Sequence, residues 1–362
     1  MIASEELRKL AALRSEHGVL TLAARTDPRD PANATPDDPA WAIEVRNGLR
    51  TEGHTVESQG DHAAKVAFRA LRERVERRLS GLDRAERGRS FVWVVADDPA
   101  FDHFETLQLP LDRSEVHWGP RAQVAPLAAS VDLGAPAVAV LLGRDAVRLV
   151  RWIAGTTQEV TGGRFTEPPD ERDLADSDVP DRRDAHVDSL HRRFLRDTAR
   201  LVSARLGELG VTDIVLVGEA GVARTFAGDL PAQIQNCVLA SIDANLHEES
   251  LGALDERLEP TILQARRDRV AATVQTAVDS AHPGGRGALG AKAVLDALGE
   301  GRVAHLVLDP QGVSPVNGEP PSVVGERAVE LALGSGARVS ILRVGECDAL
   351  AQGGGIVAAL RY

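Results

Sequence analysis

Gly353-Gly354-Gly355-Ile356-Val357-Ala358-Ala359-Leu360-Arg361-Tyr362 decides how the C-terminal third of this sequence is read. Three glycines in a row mark a tight turn, and the short apolar run after them marks a buried strand. Working back, Arg338 to Val344 predicts a strand, Gly325 to Leu333 a helix and Val303 to Leu308 a buried strand. Before them, helical apolar spacing runs from about Leu258 to Ser280 and from Gly290 to Leu298. This alternation predicts a compact α/β/α sandwich over residues 257–362.

Further upstream, Ala137 to Leu142 and Ala146 to Trp152 flank a Gly143-Arg144-Asp145 turn and predict a hairpin. Thr156 to Val160 adds a third antiparallel strand. A polar segment, Thr161 to Asp184, precedes a long helix from about Asp184 to Leu209, closed by Gly210. Ile214 to Gly218 and Val238 to Ile242 then read as two more strands, the first running into a helix. Three antiparallel strands followed by alternating helix and strand predict a ribonuclease-H-like domain over 131–256. Residues 1–130 read as α+β. A strand at Val19 to Ala23 leads into a Pro/Asp-rich loop from Asp27 to Pro39. Helices at Trp41 to Leu49 and Asp61 to Leu79 follow, then a strand at Phe91 to Val95. The fold class is therefore mixed α/β and α+β, in several domains.

Composition bounds the function. With 362 residues, 43% of them hydrophobic, the chain can fill two or three cores, since single cores stop growing near ~250–300 residues. Cys237 and Cys347 form no motif. Ser4-Glu5-Glu6-Leu7 directly after the start predicts no signal peptide, and no apolar run has the ~18 residues of a membrane span. A cytoplasmic protein without a membrane partner is expected. The net charge of −12 argues against coating nucleic acid with the whole surface, and no DNA partner is expected. RNA contact falls to local patches: Arg72, Arg74, Arg77 and Arg78, which read as a solvated helix face, and Arg192, Arg193, Arg196 and Arg200.

Gly285-Arg286-Gly287-Ala288-Leu289-Gly290 spells G-x-G-x-x-G, but a helix precedes it where a dinucleotide site needs a strand. Ala291 stands where a phosphate loop needs lysine. These glycines read as a link between two helices. Gly218-Glu219-Ala220-Gly221 could receive an anion at a helix start, but Glu219 would repel it. His186 and His191 have no third ligand near in sequence, so neither a metal nor a cofactor is expected, and no nucleophile elbow is present. Thr161-Gly162-Gly163-Arg164-Phe165 is the remaining motif. It falls after the third strand of the middle domain and before its long helix, where two glycines allow unusual dihedrals and close approach.

Four features together resemble the archaeo-eukaryotic class I release factors and Pelota, over roughly residues 130–362. These are the order of elements, the place of Gly162-Gly163, the Gly301-Arg302-Val303 start of a strand, and the Leu360-Arg361-Tyr362 ending. The Thr26-Asp27-Pro28-Arg29-Asp30 loop with Trp41 and Arg46-Asn47 is similar to the bacterial branch of that family. The resemblance implies a release-factor-type C-terminal sandwich and a middle domain aimed at the peptidyl-transferase centre. It implies a ribosomal partner, through rRNA and tRNA, and a translational GTPase as a further partner. Peptidyl-tRNA hydrolysis in ribosome rescue is the implied activity, with Gly162, Gly163 and Arg164 as catalytic residues and Arg192, Arg193, Arg196 and Arg200 as RNA contacts. In the family a glutamine follows the two glycines and helps place the attacking water. Here Arg164 takes that position, and arginine has no acceptor for a water hydrogen. The acidic, proline-rich segment Glu167 to Asp188, which composition predicts to be mobile, is a second departure. A non-catalytic ribosome-binding or hibernation factor is therefore the alternative, and a nucleotide-binding enzyme using one of the glycine turns is a third.

Overall fold

The computed structural model describes residues 2–35, 39–98, 101–143, 146–166 and 180–362, without the side chains of 180–190. The chain divides into two compact units. One comprises Met1–Gly134 together with Arg267–Tyr362, and the other is Ala135–Arg266.

The first part of the discontinuous unit is an antiparallel sheet of β1 (Arg14–Ala24), β2 (Ser90–Ala96), β3 (Asp102–Leu107) and β4 (Glu115–Arg121), in the order β3-β2-β1-β4. Alternation along β1 and β2 sends Leu20, Leu22, Trp93 and Val95 to one face. There they meet Val45 and Leu49 of α2 (Ala40–Gln59) and Leu71 and Val75 of α3 (His62–Ser80). Helices α1 (Ser4–Ala11), α4 (Arg84–Arg87) and α5 (Ala125–Leu133) complete this part. The opposite face, with Val19, Ala23, Val92 and Val94, belongs to a core that also holds Val294, Leu298, Val324 and Ala328.

The second unit is a mixed sheet of β5 (Ala137–Leu142), β6 (Ala146–Ile153), β7 (Thr156–Thr166), β8 (Ile214–Val217) and β9 (Val238–Ile242), ordered β7-β6-β5-β8-β9. β5, β6 and β7 pair antiparallel, and β8 and β9 run parallel to β5. Val138, Val140, Val147 and Leu149 pack on Phe194, Leu195, Val202 and Leu206 of α6 (Pro180–Leu209) and on Phe226 of α7 (Ala220–Asp229). The short α8 (Ala232–Gln235) precedes β9. On the other face Arg266 is buried over the Trp152 ring and paired with buried Asp213 at 2.7 Å. Arg144 and Asp145 of the expected hairpin turn, and residues 167–179 of the acidic segment, lie outside the described residues.

Arg266 belongs to α9 (Leu251–Asp279), which starts well before the expected Leu258 and runs through Pro260. An interior proline removes one helix hydrogen bond. Leu254, Leu258 and Ile262 are nevertheless fully buried, and burial outweighs the lost bond.

The C-terminal part of the first unit has β10 (Gly287–Leu289), β11 (Val303–Leu308), β12 (Arg338–Ile341) and β13 (Ile356–Leu360), ordered β10-β13-β11-β12. Helices α10 (Ala291–Gly299) and α11 (Pro321–Gly334) supply the core on one side. Val270, Val274 and Ala277 of α9, with Leu350 of α12 (Asp348–Gln352), supply it on the other. The glycine run is the predicted turn: Gly354 and Gly355 have φ of +64° and +77°, and a side chain on Gly355 would strike the Gly312 carbonyl. β13 then lies between β10 and β11. Arg361 ties its end to the backbone of Arg302, Gly301 and Ser335.

Candidate functional site

Gly162 and Gly163 lie inside β7, whereas the sequence suggested the loop after the third strand. The register of β6 against β7 explains this. Val150 is opposite Glu159 and Arg148 is opposite Arg164, which leaves Leu149 to face the whole stretch from Val160 to Gly163. The surplus residues form a bulge. Gly162 supplies its left-handed turn, with φ +67° and open space around the missing Cβ. Gly163 is needed for a different reason: a Cβ there would lie 2.9 Å from Leu149 Cβ and 2.8 Å from the Val160 carbonyl.

Three arginines hold the bulge. Arg205 of α6 donates to the Thr161 carbonyl. Arg148, buried on β6, donates to Glu159 at 2.5 and 3.1 Å and to the carbonyls of His247 at 2.9 Å and Glu249 at 2.8 Å. Arg164 is 62% exposed and reaches the same Glu159 carboxylate at 3.6 Å. The Arg148 guanidinium, then Arg164, hold the Glu159 carboxyl below the usual range against slight burial. Glu159 thus lies between two cations, hydrogen-bonded to Arg148 and 3.6 Å from the exposed Arg164. Arg148 escaped the sequence reading. Its signal is a charged residue on the face shared with Val150 and Trp152, both of them apolar.

Arg192, Arg193, Arg196 and Arg200 fall on one exposed face of α6. Asp197 tempers it, lying 4.0 Å from Arg193 and 3.6 Å from Arg200, and Arg196 approaches Asp229 at 3.9 Å. The bulge and this face are joined through α6 by Arg205, so the structure places the two sets of candidate residues in one unit.

The Gly285–Gly290 segment links α9 to α10, as expected, and within that link it carries the short strand β10 (Gly287–Leu289), which the sequence did not show. Its glycines allow close packing: a Cβ on Gly287 would lie 1.8 Å from the Ala277 carbonyl, and one on Gly285 2.0 Å from that of Ser280. Gly290 donates to the carbonyls of Gly353 and Ile356. A phosphate has no room where backbone already fills the space. Glu219 caps the start of α7 without a side-chain hydrogen bond. The side chain of His186 lies outside the described residues. Among the described residues no group of three or more His, Cys, Asp or Glu side chains is arranged to hold a metal, and no helix is long and apolar enough to cross a membrane.

Residues 123–298 match the model of the bacterial archaeo-eukaryotic release factor family 10. Among solved structures, the archaeal translation termination factor aRF1 is similar at 18% identity and a TM-score of 0.27, covering 100% of this chain and 99% of its own. Dom34 of S. cerevisiae, described as termination-like and interacting with Hbs1, is similar at 13% identity and a TM-score of 0.41, covering 75% of this chain and 79% of its own. An archaeal Pelota described as ribosome-bound with ABCE1 is similar at 12% and 0.44, covering 99% and 94%. No curated protein matches the chain. The likeness to the release factors thus rests on residues 123–298, which match the model of their bacterial family 10.

Proposed function

We propose that the protein is a ribosome-associated, release-factor-like factor whose Ala135–Arg266 unit contacts RNA without hydrolysing peptidyl-tRNA. One observation carries the second half of this reading. Gly162 and Gly163 are consumed by a strand bulge, and the residue after them is an exposed arginine, 3.6 Å from Glu159. Placing an attacking water requires a group that accepts its hydrogen, and a guanidinium only donates. Glu159, the carboxylate of this segment, is already occupied by Arg148. Arg164 and the α6 face instead suit phosphate oxygens, which arginine takes in pairs.

The ribosome enters this reading through the release-factor family. The strand order of the second unit supports a ribonuclease-H-like middle domain, at 131–256 between domains at 1–130 and 257–362. A translational GTPase as partner and a cytoplasmic location belong to the same reading. Two assays test it: co-sedimentation with ribosomes, and peptide release from large subunits stalled with peptidyl-tRNA. Co-sedimentation without release is expected, and it should weaken when Arg192, Arg193, Arg196 and Arg200 become Gln. Release by the native chain would restore the hydrolase. No co-sedimentation would remove the ribosome.

A further inference from the structure

Asparagine is followed by glycine twice in the chain, at Asn47-Gly48 and at Asn317-Gly318. This pair is chemically labile. The backbone nitrogen after an asparagine can attack its side-chain amide, and glycine puts no Cβ beside that nitrogen. The fold places the two pairs in opposite settings.

Asn47 and Gly48 lie inside α2, where the Gly48 N–H belongs to the helix ladder. The Asn47 amide oxygen accepts from Arg50 at 3.0 Å. A Cβ on Gly48 would stand 2.7 Å from Val116, so this glycine is packed against β4. Asn317 and Gly318 are instead the two central residues of an exposed turn between β11 and α11. Both have left-handed φ, +53° and +83°, as in the tight hairpin turns that asparagine and glycine favour. Val316 and Glu319 close the turn as an isolated bridge, with the Glu319 N–H donating to the Val316 carbonyl at 2.9 Å. The bridge belongs to no sheet, so opening the turn breaks one backbone hydrogen bond and no strand ladder. Among the described residues, no hydrogen bond holds the Asn317 amide or the Gly318 N–H, and nothing lies within 4 Å of where a Gly318 Cβ would stand.

We propose that Asn317 is a site of spontaneous deamidation, with water as the co-reactant and no enzyme. The turn opens by rotation about the Asn317 Cα–C bond, which brings the Gly318 nitrogen to the side chain. That nitrogen gives its proton to solvent and bonds to Asn317 Cγ. The Cγ–Nδ2 bond breaks, and the amide nitrogen leaves as ammonia. Water then opens the cyclic imide at either carbonyl, giving aspartate or isoaspartate. Aspartate adds a negative charge beside Glu319. Isoaspartate also adds a methylene to the backbone, which shifts Glu319, the partner of Arg327 at 3.5 Å, relative to Val316.

The test is peptide mass mapping of the full chain after prolonged incubation at neutral pH, folded and in guanidinium, with Gly318→Ala and Asn317→Gln treated alongside. Circular dichroism and thermal melting would check that both variants are folded. The folded native chain should accumulate aspartate and isoaspartate at 317 and keep the amide at 47, whereas in guanidinium both asparagines should convert. Gly318→Ala, which places a Cβ beside the attacking nitrogen, should slow conversion at 317 about tenfold or more. Asn317→Gln, whose ring would be one atom larger, should keep its amide over the same period. An intact Asn317 in the folded chain, while the denatured chain converts, overturns the proposal. Aspartate without isoaspartate also overturns it, since opening of the ring yields both. Conversion at Asn47 as fast as at Asn317 in the folded chain overturns the selection by the fold. The turn takes no part in the ribosome reading, so either can fail alone.

Discussion

Gly162 and Gly163 are neighbours of one type that meet two different demands, and substitution separates them. Alanine at 163 must push into Leu149 and the Val160 carbonyl. Overpacking of this kind costs about 1–3 kcal/mol. Alanine at 162 meets empty space and pays only for its left-handed φ, about 1–2 kcal/mol. Chemical denaturation should find both destabilised, with strain relieved by asparagine at 162 and not at 163. A second residue sets a pH dependence. Glu326 is buried on α11 and accepts from the N–H groups of Val124 and Ala125 at the start of α5. Burial outweighs those bonds and pushes its carboxyl up to about 7. The folded protein therefore holds this proton more tightly than the unfolded chain. The stabilisation is complete below about pH 4.5 and is lost as pH rises through about 7. Glu326→Gln should show a stability gain relative to native that grows across this window, on the order of 3 kcal/mol at its limit. His117 and His305, pushed by burial down to about 4, act in the opposite sense on acidification and are common to both proteins. A flat difference between variant and native melting temperatures from pH 4.5 to 8 would refute this.

Among the elements, α6 carries the prediction. If its arginines meet phosphates, each one lost should lower the salt dependence of RNA binding, with a slope change of about 0.7 per single-strand phosphate released. Measuring affinity against salt for the native chain and for Arg193→Gln with Arg200→Gln checks this, and an unchanged slope would remove the face from the interface. The elements also show what local sequence can and cannot reveal. β5, β11 and β13 were legible because each is a short apolar run bounded by turn residues. β7 was legible to Val160 only, because its continuation to Thr166 depends on pairing with β6, and Gly162-Gly163 reads locally as a break. β10 was missed for the same reason, since three residues between glycines carry no period. The start of α9 was hidden by Pro260, whose local cost is offset by distant leucine contacts. Within the candidate site, Arg164 was visible as a departure from a motif. Its partners Arg148 and Glu159 were not, because a cross-strand pair is set by register and not by spacing.

At the scale of the molecule, Ala135–Arg266 has its own sheet and its own core, formed from residues of that segment alone. Expressed by itself with the rest of α9, to residue 279, it should melt cooperatively and keep near-native helix and strand content by circular dichroism. Residues 1–134 alone should not, since Val19, Ala23, Val92 and Val94 would face water without Val294, Leu298, Val324 and Ala328. A cooperative melt of 1–134 would contradict the shared core. The same division has a consequence for synthesis. A ribosome releases residues in numerical order, so the earliest segment to emerge has to wait with an apolar sheet face uncovered. The segment made second can finish folding first. The wait ends when β13, the inner strand made last, slots between β10 and β11. A protein built this way is a slow, exposed nascent chain, and a pause in its synthesis anywhere between residues 135 and 356 would leave its first segment open to chaperones and proteases.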